Sequence, residues 1–159
     1  QQLASALPEL KRLHGSSPHP KVQYYEGIDG IKNIYADTLT STTPILNYCN
    51  SKEIRQFWPH YDDEYVQERA AKKIYLRGIA PDDEYGRIAQ NHDPEYYREI
   101  RLIPEDQYNF TNEIHIYNDK VAIISLKNEL IGMIIESSEI ANTQRAIFQM
   151  VWDFQSKKL

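Results

Sequence analysis

The stretch Thr111-Asn112-Glu113-Ile114-His115-Ile116-Tyr117-Asn118-Asp119-Lys120-Val121-Ala122-Ile123-Ile124-Ser125 decides the fold. Two runs, Asn112 to Tyr117 and Lys120 to Ile124, flank Asn118-Asp119, which is the spacing of a two-residue β-hairpin. Side chains alternate along a strand, so Ile114 and Ile116 face one side while Thr111, Glu113, His115 and Tyr117 face the other. That second face is polar. It suits either the lining of a pocket or the solvated face of an edge hairpin, and the residues alone leave both readings open.

Outward from the hairpin, strand-like and helix-like segments alternate. Downstream, Met133 to Glu136 reads as a short strand. Ser138 to Phe154 reads as a closing helix carrying Ile140, Ile147, Phe148, Val151 and Trp152. Upstream lie strands at Arg98 to Ile103, Ile74 to Ala80, Ile45 to Cys49 and Lys21 to Tyr25. Helices are predicted at Asp82 to Asn91, Asp62 to Lys73, Ser51 to Trp58 (stopped by Pro59) and Gly27 to Leu39. In the last of these, Ile28, Ile31, Ile34, Tyr35 and Leu39 keep the i, i+3, i+4 rhythm of an amphipathic helix. Alternation of this kind predicts an α/β layered fold: a mixed, mostly buried sheet, an antiparallel hairpin towards the C-terminus and flanking helices.

Before the first strand, Leu3, Leu7 and Leu10 fall at the spacings of a coiled-coil seam. Residues 1–14 are therefore expected either to end a linking or dimerisation helix, kinked or started at Pro8, or to form a helix that simply packs on the domain. Residues 15–20 (Gly-Ser-Ser-Pro-His-Pro) form a linker, and residues 21–159 form the domain. The chain opens on Gln1 rather than Met, as expected of a fragment.

Composition excludes several classes. Of 159 residues, 41% are hydrophobic and 26% charged, ordinary values for a globular domain. No apolar run approaches the ~20 residues of a membrane span, and the first residues lack the charged and apolar regions expected of a signal peptide. A net charge of −5 disfavours direct nucleic-acid binding, because Lys72-Lys73 and similar pairs make no basic stripe. The single cysteine, Cys49, lies in an apolar run and reads as a buried, inert thiol, in keeping with a cytoplasmic protein.

Motifs for chemistry are missing: no glycine-rich phosphate loop, no Gly-x-Ser-x-Gly, no Cys-x-x-Cys and no His-Glu-x-x-His. Five scattered histidines suggest no metal site, and no cofactor is expected. Asp62-Asp63-Glu64-Tyr65 recurs as Asp82-Asp83-Glu84-Tyr85. Both copies precede helical patterns, so they read as helix N-termini rather than as a cation site.

The segment Asn118 to Ser125 resembles the hairpin carrying the phospholipase D signature, His-x-Lys-x-x-x-x-Asp. In that register Thr111 takes the histidine position, Glu113 the lysine position and Asn118 the aspartate position, so all three catalytic identities are gone. Within that scaffold the chain resembles the carboxy-terminal effector domain of TrmB-family transcriptional regulators. The matching residues are Tyr24-Tyr25-Glu26-Gly27-Ile28-Asp29-Gly30-Ile31, the Glu113 to Ser125 hairpin, and Gly132 to Ser137 through Ile140-Ala141 to Phe148 and Trp152.

The resemblance implies a phospholipase D-like fold without the enzyme. It also implies a homodimer, a sugar or other metabolite as effector, and DNA contacts made only through a winged helix absent from this sequence. Ligand contacts are then expected among Glu26, Thr111, Glu113, His115, Tyr117 and Asn118, with Arg77 as an anion contact. A purely structural dimerisation module is the alternative, and an active phosphodiesterase is disfavoured by the lost motif.

Overall fold

The structure, a computed structural model, describes residues 21–156. Seven strands form one sheet: β1 (Lys21–Glu26), β2 (Ile45–Tyr48), β3 (Leu76–Pro81), β4 (Arg98–Ile103), β5 (Asn112–Tyr117), β6 (Lys120–Ser125) and β7 (Ile131–Glu136). Their order is β1-β7-β6-β5-β2-β3-β4. Strands β2, β3 and β4 run parallel, and every other neighbouring pair is antiparallel. The α/β class and the mixed sheet are as expected. Predicted strand limits hold to within two residues, and the 1–14 helix with Leu3, Leu7 and Leu10, like the 15–20 linker, lies outside the described residues.

Five α-helices cover the sheet: α1 (Gly27–Thr38), α2 (Ser51–Phe57), α3 (Gln67–Ala71), α4 (Glu84–Asn91) and α5 (Ser138–Ser156). None of them is long and apolar enough to cross a membrane. Gly27 turns the chain from β1 into α1 at φ 70°, a conformation that costs glycine little. Ile31, Ile34, Tyr35 and Thr38 then form the buried stripe of α1.

Asp62 to Lys73 is not one α-helix: Asp62–Val66 is a π-helical turn that runs into α3. The wider turn brings Tyr61 and Tyr65, four residues apart, into a stacked pair at 5.3 Å. The two acidic repeats differ as well. Asp83 caps α4, its carboxylate accepting from the Gly86 N–H at 2.6 Å. The first copy caps nothing by its side chains. Asp62 instead takes a two-pronged hydrogen bond from Arg55, and Glu64 accepts from the Trp58 indole at 2.7 Å.

The core divides into two faces. On one, α1 to α4 pack on Tyr117, Ala122, Ile124, Ile134, Leu76 and Ile100. On the other, α5 alone packs on Leu46, Ile79, Ile116 and Val121 through Ala141, Phe148 and Trp152. Strand β5 is central, between β6 and β2, and its polar side points at α1. That corrects the edge-hairpin alternative: Glu113, His115 and Tyr117 are each no more than 1% exposed.

Candidate functional site

The buried polar residues meet where β2 and β5 lie side by side beneath α1 and α2. Glu113 is the hub. One oxygen of its carboxylate accepts from the Asn50 N–H at 2.9 Å, and the other accepts from the Tyr35 hydroxyl and lies 3.3 Å from His115 Nε2. The Nδ1 of His115 is buried with no hydrogen-bond partner among the described residues, a position that costs the fold energy. Asn50 also caps α2, accepting from the Glu53 N–H at 3.2 Å, so the hub ties the start of α2 to β5.

Beside the hub is a small cavity of about 20 Å³ lined by Asn47, Cys49, Tyr61, Glu113 and three arginines, Arg55, Arg69 and Arg98. That is room for one water and no metabolite. Arg55 pairs with Asp62 at 2.7 Å and Arg98 with Asp93 at 2.9 Å. Arg69, 1% exposed, pairs with no carboxylate among the described residues; its guanidinium bonds the carbonyls of Ile74, Tyr96 (2.6 Å) and Tyr97 (3.2 Å). Burial lowers its pKa.

Four aromatics, Tyr35, Trp58, Tyr61 and Tyr65, close the far side in mostly edge-to-face contacts. Burial, reinforced by the Glu113 charge, pushes the Tyr35 and Tyr61 hydroxyls well up, and burial takes Tyr65 to about 12. Burial and then Asp37, which accepts from its hydroxyl at 2.6 Å, raise Tyr117 too. Burial raises the Cys49 thiol, so it is neutral and unreactive.

Raised tyrosine pKa values mean the fold favours the neutral phenols. That stabilisation is complete below pH ~10, the unfolded value, and is lost as pH rises through the folded values. Alkaline titration should therefore show that the share of tyrosinate absorbance at 295 nm owed to Tyr35, Tyr61, Tyr65 and Tyr117 rises late, near pH 12 for Tyr65, together with loss of circular dichroism. Ionisation of every tyrosine near pH 10 with the fold intact would contradict the packing described here.

No family model matches the chain, and no curated protein matches it. Solved structures do. Over 96% of this chain, at 13% identity and a TM-score of 0.60, it superposes on "TrmBL2, an archaeal chromatin protein", whose structure shows "a novel mode of DNA binding". The fold is shared. NucT from Helicobacter pylori matches over 85% of this chain and 97% of its own, at 10% identity and a TM-score of 0.60. The chain spans 60% of the length of TrmBL2.

The expected ligand residues do not form one pocket. Glu113 and His115 meet at the hub. Tyr117 holds Asp37, which also pairs with Lys120 at 2.8 Å. Asn118, at φ 46° in the β5–β6 turn, accepts from the Thr42 N–H and hydroxyl at 3.0 and 3.1 Å, and so fastens the 40–43 loop. Thr111 precedes β5 and is half-buried. Arg77 lies on the other side of the sheet, 5.7 Å from the Trp152 ring centroid. Glu26 is exposed at the end of edge strand β1, three strands from β5, and its side chain caps nothing. The partners that complete the hub, Tyr35, Asn50, Arg55, Arg69 and Arg98, gave no motif. The usable signal was two tyrosines in predicted helices, Tyr35 and Tyr65, with Tyr61 just ahead of the second helix, facing a strand that carries Glu and His.

Proposed function

We propose that this chain is a non-catalytic dimerisation domain of a TrmB-like transcriptional regulator, working in the cytoplasm, with DNA contacted by another part of that regulator. One observation carries the non-catalytic reading. Where the phospholipase D pattern has a phosphate-binding lysine, Glu113 presents a carboxylate that repels phosphate and is already engaged by Tyr35, Asn50 and His115. The histidine beside it, His115, is buried, with Nε2 3.3 Å from the Glu113 carboxylate.

Effector sensing is a second reading, favoured by the arginine-lined cavity. An effector has to swing α2 and the π-helical turn away from β5, and so must bind that open form better than the closed one.

The test is light scattering and thermal melting of the chain with a panel of sugars and phosphorylated metabolites, alongside bis(4-nitrophenyl) phosphate. A dimer indifferent to the panel supports the first reading. A compound that shifts the melting temperature, with the shift lost in Arg69→Lys, supports the second. Hydrolysis of the phosphodiester that disappears in Glu113→Gln overturns the non-catalytic reading.

A further inference from the structure

The two edges of the sheet are finished differently. At the β4 edge the chain's own side chains close the strand. The Ile100 N–H donates to the Asp93 carboxylate at 2.6 Å, and the Ile100 carbonyl accepts from the Gln90 amide at 2.8 Å. Arg98, Glu99 and Arg101 add charges along the strand, and an edge capped and charged in this way resists a further strand.

Strand β1, at the other edge, has no such cover among the described residues. The Gly27 N–H donates to the Leu130 carbonyl directly opposite at 2.8 Å. Bonded and non-bonded pairs alternate along an antiparallel ladder. Lys21, Gln23 and Tyr25 therefore bond β7, while Val22 and Tyr24 turn their N–H and carbonyl groups outward. Those groups have no hydrogen-bond partner among the described residues. The side chains of Val22 and Tyr24 share the α5 side of the sheet, where they are 61% and 57% exposed.

We propose that the β1 strand of a second copy of this chain pairs with this edge, antiparallel, so that the two sheets continue into one. The inference rests on the dimerisation reading above and gives it a place. The strand is its own complement. With Val22 of each copy opposite Tyr24 of the other, both residues exchange N–H and carbonyl bonds, and Gln23 meets Gln23 on a two-fold axis. The same register twice sets a β-branched side chain against an aromatic ring, on the side of the sheet where both are exposed. Other registers fit less well. A slip of one residue turns the outward groups on to residues already bonded to β7. A slip of two sets either Val22 against Glu26 or Tyr24 against Pro20, which has no N–H. Both outward residues of both copies are satisfied at once, and this symmetry selects a second copy over an unrelated strand.

The test uses the 159-residue chain. Gln23→Cys, on the axis in a non-bonded pair with Cα atoms about 4.5 Å apart, should form an interchain disulfide on mild oxidation. Tyr85→Cys, exposed on α4, should not, and buried Cys49 should stay reduced. Val22→Pro removes an outward N–H without touching the β1–β7 ladder. Tyr24→Lys keeps the backbone and puts a charge on the exposed side. Each should raise the dimer dissociation constant by about tenfold or more in sedimentation, with circular dichroism unchanged. A dimer that either variant leaves unchanged overturns this interface and leaves the dimerisation reading standing. A dimer weakened by both while Gln23→Cys fails to cross-link overturns the stated pairing. A chain that is monomeric at all concentrations overturns both the interface and the dimerisation reading.

Discussion

Glu113→Ala is expected to lower the unfolding free energy by about 3–5 kcal/mol, read as a fall in the urea midpoint at unchanged slope. The residue is 1% exposed and holds together three groups that cannot find water: the Tyr35 hydroxyl, the Asn50 N–H and His115. Removing the carboxylate orphans each of them. It also takes the negative charge from a cavity rimmed by Arg55, Arg69 and Arg98. Glu113→Gln separates the two effects. It keeps an acceptor for Tyr35 or Asn50 but loses the charge, so it should cost about half as much. Equal losses in both variants would mean that the charge, rather than the hydrogen bonds, dominates.

Arg69→Met should be nearly as damaging, at about 3–4 kcal/mol. Methionine fills the volume of the side-chain stem, so the loss reports the guanidinium alone. Three carbonyls, those of Ile74, Tyr96 and Tyr97, lose their donor where the chain passes from α3 to β3 and from α4 to β4. Lysine cannot replace the fork, and Arg69→Lys should recover less than half. Arg69 and Glu113 line the same cavity, so the Arg69→Met/Glu113→Gln pair should fall short of additivity by about 1 kcal/mol. Strict additivity would mean that the two charges do not sense each other.

Most of the frame was legible because periodicity reports burial. Ile31, Ile34 and Tyr35 drew the buried stripe of α1, and the Asn118-Asp119 pair placed the hairpin. The side of β5 was legible too: Glu113, His115 and Tyr117 do share a face. What alternation could not supply is the identity of the element opposite. Glu-x-His-x-Tyr reads the same whether it meets solvent or Tyr35.

Arg77 shows the same limit. In Leu76-Arg77-Gly78-Ile79-Ala80 small and apolar residues occupy both parities, so nothing distinguished the α5 side from the hub side. The π-helical turn was illegible for another reason. It is selected by the fit of Tyr61 and Tyr65 around Tyr35, a three-body contact that no local pattern encodes.

The pairing of β1 with β7 joins the first and last of the described strands, Lys21 facing Glu136. During synthesis β1 therefore waits for β7. Helix α1, which packs on both β1 and β7, waits with it, while the parallel β2–β3–β4 unit already has all its members. Closing so long a loop delays the pay-off of the contacts it brings, and chains built this way fold slowly. Until β7 arrives, β1 is an unpaired strand carrying Val22 and Tyr24, open to the same strand of a neighbouring nascent chain.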